Sequence, residues 1–274
     1  MPAVSFIVRV RDEREPLAAA LASLRAQSVP CEIVVVDSGS VDGSLELARA
    51  EADRVMELPP GEFSFGRALN RGAAAASGAL VGALSAHCRL PRRDWVERAA
   101  GHLRDPQVAA VNGTLDAPSG TGRLQVIELQ RATGPRDLPN RGFSNHAALW
   151  RASVWRDHPF DERLPTAEDK AWSARVRAAG WAIAFDPELV VDMSHRGRHG
   201  VVALARRAHR EARVVAAGGF GDRVRLRDAA RLAWTVPEDA RRTALVHRLN
   251  PRRHAEIAAW WTGGVAGRAR RRSA

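Results

Sequence analysis

Four places in this chain set carboxylate, hydroxyl or imidazole side chains at an abrupt strand or loop end. The first is Glu32-Ile-Val-Val-Val-Asp-Ser-Gly-Ser-Val-Asp-Gly43. An unbroken apolar run that gives way to acids, serines and glycines is the pattern of a buried parallel strand ending at a polar crevice. In open α/β sheets ligands bind beyond the carboxyl ends of the strands, so Asp37 is placed where a ligand's polar edge would be read. Gly39 and Gly43 suit the tight turn, and Asp42 can cap the helix that follows. A strand, a turn and a capped helix without a ligand account for this segment as well.

In Leu84-Ser-Ala-His87-Cys88-Arg-Leu-Pro91 a buried strand delivers His87 at its carboxyl end, where an imidazole can ligate a metal or a phosphate, or serve as an ordinary loop residue. In Pro165-Thr-Ala-Glu168-Asp169-Lys-Ala-Trp172 adjacent carboxylates open a helix. Thr166 with Asp169 three residues on makes a capping arrangement, and acids in a first turn suit the helix dipole. The same pair in a crevice would supply a general base able to take a proton from an attacking hydroxyl. Val190-Val-Asp-Met-Ser194-His195-Arg196 is another strand running out into a histidine, with Arg196 and Arg198 able to meet phosphate bidentately.

Alternating strands and helices must position these residues. Val4 to Val10 is a β-rich run, followed by Leu17, Leu21 and Leu24 at helical spacing after Pro16. Strands are expected at Ile33 to Val36, Arg54 to Leu58, Ala79 to Leu84 and Val108 to Val111. Helices are expected at Ser44 to Ala52, Arg67 to Ala76 and Arg92 to Leu103. Repeated β-α alternation implies an α/β fold with a mostly parallel sheet. Thr114 to Gly142 reads as a long connection of the kind that serves as a mobile substrate loop. Order returns at Asn145 to Trp150, a helix spans Ala167 to Ala179, and two short strands, Ala182 to Phe185 and Leu189 to Val191, flank Asp186-Pro187. Beyond Gly200 the pattern is helical, with Val201, Leu204, Ala208 and Ala212 on one face.

Composition narrows the class. A chain of 274 residues with 45% hydrophobic content can bury one large core with an appendage. The absence of a long apolar run and of a basic leader gives the expectation of a cytoplasmic protein. Cys31 and Cys88 are too few for a disulfide framework. The net charge of +11 is carried almost wholly by arginine, Lys170 being the sole lysine, and concentrates after Arg196. Such a basic tail suits peripheral contact with an anionic membrane. No basic stripe interleaved with aromatics is visible and the chain has no Tyr, so no nucleic-acid partner is expected.

The order of these motifs resembles glycosyltransferase family 2 on a GT-A fold, and within it the rhamnosyltransferase-like branch. Val4-Ser-Phe-Ile-Val-Arg-Val-Arg-Asp12-Glu13 resembles that family's first strand and turn, with Asp12 where Asn is usual. Asp37 to Gly43 is similar to its nucleotide-contacting second-strand motif. Phe63-Ser-Phe-Gly-Arg67-Ala-Leu-Asn70-Arg71-Gly72 resembles the helix before its metal strand. Glu168-Asp169 matches its acidic pair, and His195 falls where a late metal-binding His is often found. The resemblance implies a GT-A domain over residues 1–196 with a basic helical C-terminal extension over 197–274.

It further implies inverting transfer of a hexosyl or rhamnosyl unit from a nucleotide-sugar donor to a saccharide or lipid-linked acceptor, as in cell-surface polysaccharide or glycolipid synthesis. Asp169 would be the base, with Glu168 beside it, and Glu13, Asp37, Arg67, Arg71 and Ser85 would bind the nucleotide sugar. The family's Asp-x-Asp signature, which holds Mg²⁺ or Mn²⁺, is here Ser85-Ala86-His87. With both acids replaced, His87 and His195 could ligate a softer divalent metal, or arginines such as Arg67, Arg71 and Arg196 could neutralise the diphosphate instead. The alternative to an enzyme is a non-catalytic nucleotide-sugar or polyanion-binding protein with a degenerate metal site.

Overall fold

The apolar run Val4–Val10 forms β1, and its alternating side chains enter two different cores: Phe6, Val8 and Val10 pack on one face of the sheet and Ile7 on the other. The computed structural model describes residues 3–116, 128–130, 143–193, 201–219 and 251–273. After β1 come α1 (Arg14–Arg25), β2 (Cys31–Asp37), α2 (Ser44–Glu51), β3 (Arg54–Glu57), α3 (Phe65–Ala75), β4 (Leu80–Ser85) and α4 (Trp95–His102). They are followed by β5 (Val108–Asp116), β6 (Glu128–Gln130), β7 (Ala147–Arg151), α5 (Ala152–Asp157), α6 (Glu168–Ala178) and β8 (Ala182–Asp192). Two further helices, α7 (Val201–Gly218) and α8 (Pro251–Ser273), complete the described chain.

The eight strands form one sheet in the order β3-β2-β1-β4-β7-β5-β8-β6. The pairs β1 with β2, β1 with β4, β2 with β3, and β5 with β8 are parallel. β7 runs antiparallel between β4 and β5, and β6 antiparallel along β8. The order reverses beside β1, so the carboxyl ends of β1, β2 and β4 share one crevice. Inserting β7 antiparallel brings its amino end to the carboxyl end of β4, where Ser85 N donates to His146 O at 2.9 Å.

Leu17, Leu21 and Leu24 of α1 and Trp95 of α4 cover one face, while α3 and α6 cover the other. Beneath α6 lie Phe143, Trp150 and Phe160, packed against the helix's own Trp172, all buried, with neighbouring ring centroids 4.8 to 6.5 Å apart. This aromatic layer fixes the height and rotation of α6 over β7.

Three expectations are corrected and one helix is added. Thr114 to Asp116 extend β5 and Glu128–Gln130 form β6, so the long connection is partly strand; its other residues lie outside those described. The two short strands around Asp186-Pro187 are one strand, β8, with a register shift between the Asn112–Phe185 and Thr114–Val190 pairs. Pro187, which has no N–H to donate to a ladder, sits in that irregularity. α5 was not anticipated, because its six residues are too few to show helical periodicity. Finally, α6 has no side-chain cap: its N-cap is Ala167, at φ 63°, rather than Thr166.

α7 packs along α8 and also touches α6. The approach of α7 and α8 is close at Gly263 and Gly267, where an added Cβ would lie 2.2 Å from the carbonyl oxygens of His209 and Arg213 respectively. His209 Nδ1 and Thr262 Oγ1, 3.0 Å apart, join the pair. Among the described residues no helix is long and apolar enough to cross a membrane.

Candidate active site

The turns after β1 and β2 are tied to each other. Asp42 accepts from Arg14 N at 2.9 Å through one oxygen and from Ser44 N at 3.0 Å through the other. Asp12, itself at φ 52°, accepts from Val41 N at 2.8 Å. Between these turns Asp37 ends β2, 1% exposed. Its Oδ1 accepts from Gly39 N and Ser40 N at 2.9 and 3.0 Å, whereas its buried Oδ2 has no hydrogen-bond partner among the described residues. Buried carboxylate oxygens are ordinarily bonded, so this one is available to a further donor at the strand end.

Glu13 and His87 meet across the crevice, with His87 Nδ1 3.1 Å from Glu13 Oε1. The two side chains are about one-third exposed. Ser85, at the end of β4, is buried, and the His87 ring lies 6.4 Å between centroids from that of His146 at the start of β7. His146 leads directly to Asn145, which joins this side of the crevice to the acids of α6.

Glu168 and Asp169 are buried, 4% and 8% exposed, which a mere helix-start pair need not be. Asn145 Nδ2 donates to Glu168 Oε1 at 2.6 Å, and Asn145 N lies 3.4 Å from Asp169 Oδ2. Lys170 N donates to Asp169 Oδ1 at 2.8 Å. The guanidinium of Arg9 donates to Asn145 Oδ1 at 3.1 Å and stands 3.7 Å from Glu168 Oε1. Burial, reinforced by the charge of Asp169, pushes the Glu168 carboxyl up to about 7, against the opposing pull of Arg9 and the Asn145 bond. Burial likewise lowers the pKa of Arg9 from its ordinary value.

The structure therefore joins Glu13, Ser85, His87, Glu168 and Asp169 through His146 and Asn145, with Asp37 at the neighbouring strand end. Arg67 is held elsewhere: its Nε donates to Glu162 Oε2 at 2.9 Å and its Nη1 to Glu62 O at 3.0 Å. Arg71 is exposed on α3. His195 and the flanking Arg196 and Arg198 lie outside the described residues. Sequence reasoning missed Arg9, Asn145 and His146. Of these only Arg9 carried a signal, a charge inside an otherwise apolar strand.

A hard divalent cation takes several oxygen ligands, and a softer one imidazole or thiolate. Among the described residues no three His, Cys, Asp or Glu side chains come together in a way that could hold a metal ion. The two signature positions offer a hydroxyl and an imidazole whose Nδ1 already faces Glu13. Of the two expected imidazole ligands, only His87 is among the described residues, and by itself it does not make a metal site.

The chain belongs to glycosyl transferase family 2, whose model matches residues 5–160. Among its relatives is the glycosyltransferase AglE of Haloferax volcanii, 27% identical over 69% of this chain and 66% of that protein. Another is the O-antigen chain rhamnosyltransferase WbaN of Salmonella anatum, 27% identical over 61% of this chain and 57% of that one. The chain thus spans less than two thirds of the length of these relatives. Among solved structures, the mannosyltransferase PcManGT of Pyrobaculum calidifontis, in complex with GDP-Man and Mn²⁺, superposes with a TM-score of 0.69. At 20% identity, covering 97% of this chain and 87% of that one, it establishes the shared GT-A fold.

Proposed function

We propose that this protein is an inverting glycosyltransferase that moves a sugar from a nucleotide-diphosphate donor to an acceptor hydroxyl. The observation that carries the reading is the buried Glu168–Asp169 pair at the crevice, bonded through Asn145 to the amino end of β7. Asp169 takes the acceptor's hydroxyl proton, and the oxygen attacks the anomeric carbon as the bond to the diphosphate breaks, so one displacement inverts the centre. Glu168, whose carboxyl is raised by burial and by the charge of Asp169, stands beside the base. Asp37, with its unpartnered buried oxygen, and Glu13 and Ser85 orient the nucleotide. His87, held by Glu13, faces the diphosphate.

We read the transferred unit as hexosyl or rhamnosyl and the acceptor as a saccharide or lipid-linked one in cell-surface glycan synthesis; the O-antigen chain rhamnosyltransferase WbaN among the relatives supports the rhamnosyl choice. Beyond the transferase domain that we assign to residues 1–196, the described helices α7 and α8 lie in an arginine-rich region whose charge suits an anionic membrane surface.

The test is a screen of GDP-mannose, UDP-N-acetylglucosamine and dTDP-rhamnose for hydrolysis and for transfer to simple glycosides, with direct nucleotide-binding measurements alongside. Turnover of one donor, lost in Asp169→Asn with nucleotide binding retained, supports the reading. Tight nucleotide binding without turnover sinks it in favour of a non-catalytic binder, the outcome that the Ser85 and His87 replacements motivate.

A further inference from the structure

α3 opens in a segment that holds two exposed rings on a rigid frame. Phe63 and Phe65 flank Ser64, the N-cap residue, whose hydroxyl accepts from Arg67 N at 3.1 Å. Their rings meet edge to face with centroids 5.1 Å apart, yet they are 36% and 41% exposed. The backbone beneath them is clamped to the segment around Phe160. A Cβ on Gly66 would lie 2.6 Å from the carbonyl oxygen of Asp161, so only glycine permits this approach. Arg67 bonds Glu162, and Asn70 donates to Phe160 O at 2.9 Å while accepting from Phe160 N and Trp155 Nε1, both at 3.0 Å. Large apolar rings left partly exposed on so fixed a backbone are preorganised for a partner.

The position of the rings says which partner. The Arg9 guanidinium lies 5.6 Å from the centre of the Phe65 ring, and the same group stands 3.7 Å from Glu168 Oε1. The aromatic pair therefore borders the acids of α6, whereas Asp37, at the nucleotide end proposed above, sits at the end of β2 in the neighbouring turn. Phenylalanine has no hydrogen-bonding group, so its partner must present an apolar face. A pyranose ring does so: its hydroxyls form a polar rim around a face of C–H bonds that stacks on aromatic carbon.

We propose that Phe63 and Phe65 form an acceptor subsite that receives the C–H face of a pyranose, leaving a rim hydroxyl to point at Asp169. This inference rests on the transferase reading above and adds to it that the acceptor is a saccharide rather than a bare lipid or peptide hydroxyl.

Methyl α-mannopyranoside, methyl α-rhamnopyranoside and methyl β-glucopyranoside serve as probes. Their binding is read by saturation-transfer NMR on the wild-type protein and on Phe63→Ala, Phe65→Ala and Phe65→Tyr. One pyranoside is expected to receive saturation chiefly at ring C–H protons, with the signal lost in both alanine variants and kept in Phe65→Tyr. In steady-state assays with an active donor, Phe65→Ala should raise the acceptor KM about tenfold and leave the donor KM within about twofold. Absence of saturation on the wild type, or equal saturation in Phe65→Ala, overturns the proposal. A rise in donor KM instead overturns it in favour of a nucleotide platform. Wild-type donor turnover reports on the transferase reading separately, so the two ideas fail by different measurements.

Discussion

Asn145 Nδ2 donates to Glu168 Oε1 across 2.6 Å, a bond between the amino end of β7 and the first turn of α6. It reaches a carboxyl that burial and Asp169 have pushed up to about 7, and it favours the ionised form. Replacing Asn145 with Ala should raise the Glu168 transition further and leave a buried oxygen without its donor. Turnover should fall about 10- to 100-fold with the donor KM little changed. A pH–rate profile checks this: a transition that stays at the wild-type position would show the bond to be incidental.

Asp169→Asn keeps the shape of the pair and removes the base, so transfer should drop about 10²- to 10⁴-fold while nucleotide affinity is retained. Glu168→Gln imitates the protonated neighbour. If the raised carboxyl of Glu168 governs the wild-type pH–rate profile, the profile of Glu168→Gln should lose an inflection near neutral pH. The same inflection surviving in Glu168→Gln would assign it to another group, and near-normal turnover in Asp169→Asn would remove Asp169 from the base role.

The strands that carry Asp37 and Ser85 were legible because each is an apolar run that breaks into polar residues, and a buried parallel strand leaves that mark locally. The acids of α6 were legible as residue types, but not as a buried pair, since burial depends on the aromatic layer beneath them. Asn145 was not legible at all: its role arises because β7 inserts antiparallel and meets Arg9 from a distant part of the chain. Phe63 and Phe65 stand in the sequence only as members of the motif Phe63 to Gly72, and that their rings stay partly exposed is settled by the fold.

Trp172 lies wholly buried in α6, one turn beyond the acids, stacked on Phe160 at 5.5 Å with its Nε1 donating to His158 O at 2.6 Å. Trp172→Ala should cost about 3–5 kcal/mol of stability and let the start of α6 shift. Turnover should fall even where the variant remains folded. Urea unfolding followed through the remaining tryptophans, with activity measured at low temperature, tests both parts. Full activity in a strongly destabilised variant would mean that the layer supports the fold without setting the acids.

Asp186 offers a test of the fold independent of catalysis. It is fully buried and accepts from Arg98 Nε and His102 Nε2, both at 2.7 Å, and from Glu188 N at 2.9 Å. Burial alone would raise its pKa, but the bonds from Arg98, His102 and Glu188 outweigh it and hold the carboxyl below its ordinary value. A depressed folded pKa means that the stabilisation is fully present above the unfolded value of about 3.9 and is lost as pH falls through the lower folded one. Asp186→Asn should therefore cost about 3 kcal/mol at pH 7, the low end for a broken buried pair because Arg98 is one-third exposed. The gap between variant and wild type should narrow as pH falls below that range. Urea midpoints measured from neutral pH down through the acid range decide it: a gap that stays constant would mean that Asp186 contributes through packing rather than through its charge.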